Sequence, residues 1–222
     1  MPEANRDDPR YLRVRERLTT AILDLASRRS VDTITVSELT AHAGVSRSAF
    51  YAHAPSPTQL LADHLVSKLA PLLEQLGTLL ERDPDNYVRG WRNVYLDVLM
   101  AVREDGSVYA HVFGPDGSPA VLARLCTCFE RAAEVFVGDF IARLDEPVTE
   151  LWRTMAVAQH VNNTVVLIES WVRTGMRGSP TAVLDTFMTL VPPWQLVHLS
   201  TSGTTSLGRS RLRAALSAQE SV

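Results

Sequence analysis

The chain has 222 residues, of which 45% are hydrophobic and 21% charged, and its formal net charge is −3. That composition is ordinary for a globular chain of one or two domains, and the net charge argues against a general nucleic-acid binder. No apolar run reaches the ~18 residues that a membrane span needs, and the charged start MPEANRDDPRYLRVRERL has no apolar signal core, so a soluble, cytoplasmic protein is expected.

The charge is uneven along the chain. Residues 1–56 carry eight arginines against seven acids, while residues 57–222 carry fourteen basic residues against eighteen acids. A slightly basic end on an acidic body fits a DNA-reading head joined to a body that does not touch DNA. Residues 1–8 are polar and read as a disordered N-terminus. A first helix is expected over residues 9–29, with Leu18, Ala21, Ile22 and Leu25 at i, i+3, i+4, i+7. A second follows Thr35, which forms a capping box with Glu38 and stops at Gly44. Ser46 is the natural cap of a third helix, SRSAFYAHA.

Pro55 and Pro57 then interrupt the chain. Ser56 can cap a long fourth helix over residues 57–83, in which Pro71 implies a kink or a local break. A fifth helix is expected over residues 86–104, then a loop-rich section through GPDGSP at residues 114–119. Further helices are expected over residues 119–143, 147–174 and 180–191. From residue 197 the chain reads as a flexible tail with at most one short helix near residues 207–218. The whole is all-α, with about nine helices and no internal repeat. Its division would be a helix-turn-helix head at 9–56, a larger helical body at 57–196, and a tail at 197–222.

Cys126 and Cys128 stand two apart in a helical pattern and point in different directions, so free thiols are expected and no mutual disulfide. There is no second Cys or His pair at zinc spacing, and no metal or cofactor is expected. GxSxG, P-loop, dinucleotide and HExxH patterns are all missing from the sequence, which argues against an enzyme.

The segment around Gly44 carries the chemistry. Leu39, Val45 and Phe50 can pack in the angle between two short helices, with Gly44 making the turn. The third helix would then present Arg47, Ser48 and Tyr51 near its N-terminal end, where recognition helices meet base edges. Arg47 can fork onto guanine or phosphate, and Ser48, Tyr51 and His53 can bond phosphate oxygens. A solvated surface role is the alternative for Arg47. Intrahelical pairing with Asp7, Asp8 and Glu16 is the alternative for Arg10, Arg13 and Arg15.

The run TVSELTAHAGVSRSAFYAHA resembles the DNA-binding head of TetR-family transcriptional regulators. That family's pattern is roughly T-x-x-x-I-A-x-x-A-G-V-S-x-G-x-L-Y-x-H-F-x-x-K-x-x-L. It is matched by Thr35, Leu39, Ala43, Gly44, Val45, Ser46, Phe50, Tyr51, His53 and Leu60. Three positions depart from it: Thr40 stands for Ala, Ala54 for Phe and Pro57 for Lys. Proline suits a first helical turn, so the fold survives it. The lost lysine removes a phosphate contact and should lower the salt slope by roughly one unit per half-site. The load would shift to Arg47, Tyr51, His53 and the arm arginines Arg10, Arg13 and Arg15, and the DNA-binding residues expected as a set are Thr35, Ser46, Arg47, Ser48, Tyr51, His53, Arg10 and Arg13. The resemblance makes residues 57–196 a regulatory and dimerisation domain. The resemblance implies a homodimeric repressor on a double-stranded DNA operator, relieved by a small-molecule effector. The alternative is a helical interaction protein whose degenerate head no longer binds DNA.

In the body, AVAQHVNNTVVLIESW interrupts an apolar helix with Gln159, His160, Asn162 and Asn163. Buried polar groups need partners, and a ligand can supply them. Candidate lining residues are Trp91, Tyr95, Phe113, Phe129, Trp152, Gln159, His160, Asn163 and Trp171. A hydrogen-bonded core or a polar interface patch is the alternative for the polar ones, and plain core for the aromatics. The resemblance places the dimer seam on the last two long helices, where Leu184, Phe187, Met188 and Val191 follow helical spacing. Their alternative is the protomer's own core.

Overall fold

The computed structural model describes residues 8–83, 86–144 and 147–196. The expected disorder at residues 1–7 and the expected tail from residue 197 lie outside the described residues. Within them the chain is all-α: α1 (Pro9–Ala26), α2 (Val36–Ala43), α3 (Arg47–Tyr51), α4 (Pro57–Leu73), α5 (Leu79–Arg82), α6 (Tyr87–Glu104), α7 (Gly106–Val112), α8 (Pro119–Ile141), α9 (Glu150–Arg173) and α10 (Pro180–Met188).

The helix starts follow local chemistry. Side-chain oxygens of Asp8, Thr35, Ser46, Ser56, Ser118, Thr149 and Ser179 accept from backbone N–H groups two or three residues on. Each satisfies a donor that the first helical turn would otherwise leave bare. Asp8, grouped by composition with the polar N-terminus, is thus the cap of α1. Proline opens α1, α4, α8 and α10, where its missing N–H costs nothing.

Two expectations are corrected. The fourth helix does not run to residue 83. It ends at Leu73, passes through a 3-10 stretch (Glu74–Thr78) and resumes as the single turn α5. Pro71 cannot donate back to the preceding turn, and the helix loses its α geometry just after it. The loop-rich section holds α7, which buries Val108, Tyr109 and Val112. Seven residues starting with Gly and Ser have little helical propensity of their own. Packing of α7 against α1 and α9 supplies what propensity does not.

The apolar core is continuous from end to end. In the head, Leu18 and Ile22 of α1, Leu39 of α2, Phe50 of α3 and Leu60 of α4 are fully buried together. From there α4 runs into the body and packs along α8, which packs in turn on α9, with α6 and α10 closing the far side. A carboxylate of the head is latched onto this path. Asp32 Oδ1 accepts from Thr58 Oγ1 at 3.2 Å and from Ser118 Oγ at 2.7 Å, joining the head to the starts of α4 and α8.

Candidate nucleic-acid interface

The interface is built on a tight corner. Gly44 ends α2 with φ 61° and ψ 40°, the left-handed conformation that a Cβ disfavours. A Cβ there would also lie 2.5 Å from Arg17 Nη2. Ser46 caps α3 by accepting from Ala49 N at 3.1 Å, and its hydroxyl lies 3.0 Å from that of Ser48. Phe50 anchors the short helix inward, and Tyr51, set edge-on to it, stands 60% exposed.

Two arginines of α1 hold α3 at both ends. Arg17 Nη2 donates to the Gly44 carbonyl at 2.6 Å, and Arg15 Nη1 to the His53 carbonyl at 3.2 Å. These are charge-assisted bonds to carbonyls left open by the turn and by the end of α3. Arg47 is exposed, with Nη2 donating to Ser37 Oγ at 2.8 Å across the corner. A serine hydroxyl is a weak holder for a guanidinium, so Arg47 is free to swing to an anion. Arg10 and Arg13 lie exposed on the first turns of α1, with Arg13 Nε on the Pro9 carbonyl at 3.1 Å.

The nominated head residues therefore separate. Arg47, Ser48 and Tyr51 share the outer surface of α3, and Thr35 and Ser46 are exposed caps whose hydroxyls already accept from the backbone. His53 is different. It is half-buried, its ring centroid lies 3.9 Å from that of Tyr11, and its Nδ1 is covered with no partner among the described residues. Burial, and then the neighbouring Arg15 charge, hold its pKa below the ordinary 6.5. The ring is turned onto Tyr11 of α1 rather than standing on the outer surface of α3. Pro57, where a lysine would reach out, is buried at the start of α4. Arg17 went unnoticed in the sequence, although its i+4 spacing from Arg13 places both on one face of α1.

In the body the nine nominated residues do not form one pocket. Trp91, Tyr95 and His160 meet in a buried cluster: ring centroids lie 4.3 Å apart for Trp91 and Tyr95, and 6.2 Å for Tyr95 and His160. Phe113 stacks instead on Tyr109, and Phe129 is core on α8. Trp152 and Gln159 meet Trp194, and Trp171 Nε1 donates to the Arg177 carbonyl at 3.3 Å. Asn163 Nδ2 is buried without an acceptor among the described residues. An open groove of 430 Å³ lies elsewhere, between α4 and α8, lined by Val66, Leu73, Cys128 and Arg131 among others, and by none of the nine. Leu184, Phe187 and Val191 are turned into the protomer's own core, and Met188 is half-buried. Helical spacing alone could not say which neighbour that stripe covers, and α6 and α9 claim it.

Residues 18–63 match the family described as bacterial regulatory proteins, tetR family. Solved structures share the fold at low identity. NalD, the secondary repressor of the MexAB-OprM multidrug efflux pump in Pseudomonas aeruginosa, is 17% identical with a TM-score of 0.58, over 81% of this chain and 95% of its own. The dihydroxyacetone kinase operon activator DhaS is 17% identical with a TM-score of 0.53, over 80% of this chain and 93% of its own. The fatty acid degradation regulator FadR from Bacillus halodurans is 15% identical with a TM-score of 0.51, over 79% and 96%. No curated protein sequence matches the chain. No helix among the described residues is long and apolar enough to cross a membrane. Residues 18–63 are thus a DNA-binding segment of the tetR type, carried on a chain whose fold is shared with these solved regulators.

Proposed function

We propose that the chain represses transcription as a homodimer, holding a palindromic operator with one head per half-site. The head would comprise residues 9–56 and the body residues 57–196. The observation that carries this reading is the outer surface of α3, where Arg47, Ser48 and Tyr51 are exposed on a helix held from behind by Arg15 and Arg17. Arg47 would leave Ser37 for a base edge or phosphate, with Arg10 and Arg13 on the adjacent backbone.

One short helix per half-site is a weak reader, and two heads about 34–36 Å apart make a strong one. The dimer seam we favour is the outer side of α9 and the turn after α10. There Leu151 is 69% exposed, Met155 63%, Val166 50% and Leu190 71%. Leu151 and Met155 are one turn apart, and Val166 lies three turns beyond Met155 on the same side. Exposed apolar residues in such a row are covered best by a second copy of themselves. A small effector bound in the body would favour a spacing of the heads that no longer matches successive major grooves.

The test is selection of duplexes from a random library, followed by fluorescence anisotropy in a salt series. A palindromic consensus bound tightly, and more weakly as salt rises, is expected. Sedimentation velocity of Met155→Glu/Val166→Glu should show monomers that no longer hold the consensus. Selection that enriches nothing above random duplex would sink the DNA reading. A wild-type monomer with full operator affinity would sink the dimer.

A further inference from the structure

The polar cluster of the body is closed by a segment that sequence reasoning did not connect to it. After α10 the chain turns at Pro192, whose carbonyl accepts from Gln195 N at 3.0 Å. Gln195 then enters the core and is 3% exposed. Its Nε2 lies 3.1 Å from His160 Nδ1, and its own carbonyl accepts from Tyr87 Oη at 2.9 Å. Trp194 lies beside it, half-buried, edge-on to Phe140 and Trp152, with Nε1 donating to Gln159 Oε1 at 2.8 Å.

The hydrogen bonds run in one direction. An amide N–H₂ can only donate, so His160 Nδ1 accepts and Nε2 carries the ring proton. Nε2–H then donates to Tyr95 Oη at 3.0 Å, Tyr95 to Thr164 Oγ1 at 2.7 Å, and Thr164 to the His160 carbonyl at 3.1 Å. Every link has one proton. The chain starts at an acceptor, His160 Nδ1, that only a donor from outside the α6–α9 pair can fill. Around it the accounts are open: Trp91 Nε1 is a covered N–H without an acceptor, and Gln195 Oε1 is a covered carbonyl without a donor, among the described residues. A glutamine side chain thus fills the site but does not satisfy it.

We propose that Trp194 and Gln195 stand in for the effector, and that the body binds a flat aromatic molecule bearing a carboxamide where this pair now sits. The amide N–H takes the place of Gln195 Nε2 on His160 Nδ1. The aromatic part takes the place of the indole against Phe140 and Trp152. The ligand's carbonyl offers an acceptor to a cluster whose Trp91 N–H has none among the described residues. The strap is a single 3-10 turn (Pro193–Leu196) whose Trp194 and Gln195 reach the body through hydrogen bonds to Gln159, His160 and Tyr87. Its displacement is a cost on ligand affinity that a chain without the two side chains does not carry. The inference rests on the reading of the body as an effector-binding unit only for its consequence at DNA.

The test is calorimetric titration of the full chain and of Trp194→Ala/Gln195→Ala with indole-3-carboxamide and with indole-3-carboxylate. The double variant should bind the amide at least tenfold more tightly than the intact chain. It should also prefer the amide to the carboxylate at least tenfold, because a carboxylate has no N–H for His160 Nδ1. Equal affinity in both proteins, no preference for the amide, or no binding to the double variant would each overturn the proposal. If the double variant loses helical circular dichroism, the same two criteria apply to Trp194→Ala, which removes only a half-buried ring. Amide binding that leaves operator affinity unchanged would uphold this site and remove its regulatory role. Intact operator binding with no amide binding would overturn the site and leave the DNA reading standing.

Discussion

The head and the far end of the body handle polar groups in opposite ways. In the head, side chains bond to backbone at the surface: Thr35 and Ser46 cap helices three residues on, and Arg15 and Arg17 reach carbonyls of the corner. In the body, side chains bond to each other in the core, across 65 residues for Tyr95 and His160 and 69 for Tyr95 and Thr164. The head is therefore a rigid corner whose polar bonds follow local chain geometry. The body cluster exists only once four separate segments have met. The first arrangement suits a surface that must present fixed donors to DNA. The second suits a site whose contents can be exchanged.

The comparison breaks most visibly if the head core is hollowed. Phe50→Ala removes a ring that is fully buried and should cost about 3–5 kcal/mol, the range for aromatic truncation in a core. Urea melts should show it, and operator binding should go with it. If stability barely changes, the corner is not held as argued.

Acid separates the two regions next. Burial pushes the His160 pKa from 6.5 down to about 4, so the folded state keeps it neutral where the unfolded chain takes up a proton. Stability is then whole above pH 6.5 and falls as pH drops toward 4, by about 3 kcal/mol in all. His53 and His64 are lowered too and act in the same direction. The measurement is the difference between urea melts at pH 7 and pH 4.5 in wild type and in His160→Gln. A variant with an equally steep pH dependence would refute the assignment.

Arg47→Ala sharpens the comparison by touching only function. Its guanidinium is exposed and rests on one serine hydroxyl. Operator affinity should fall by about 1–3 kcal/mol, the worth of one good contact, with thermal stability unchanged. Loss of stability instead would make it a structural brace. The smallest effect belongs to Gly44→Ala, which should cost about 1 kcal/mol for the left-handed backbone, plus whatever Arg17 loses in moving aside. An unchanged melting temperature would mean that the corner relaxes freely.

Legibility followed the same divide. Caps at Thr35, Ser46 and Ser56, the glycine stop and the inward Leu39 and Phe50 obey rules spanning a few residues, and each was readable in order. Helix α7 was not, because seven weak helix formers become a helix only against α1 and α9. The QHVNN interruption of α9 signalled buried polarity at His160 alone: Gln159 and Asn162 are exposed and Asn163 is half-buried, because the two exposed positions fall on the outer side of the helix. Its partner Gln195 was invisible, since nothing in PPWQL announces a contact 35 residues back. Leu184 and Phe187 show the limit of periodicity: spacing marks an apolar stripe, but not whether its neighbour is α6 or another subunit.

The arginine clamp of the head has an evolutionary consequence. Arg15 and Arg17 grip the carbonyls of His53 and Gly44, and a carbonyl is the same whatever side chain stands near it. Arg47, Ser48 and Tyr51 can therefore be exchanged without loosening the hold on the helix that carries them. On the proposed reading, a change of operator preference through those three side chains would leave the scaffold's own bonds in place.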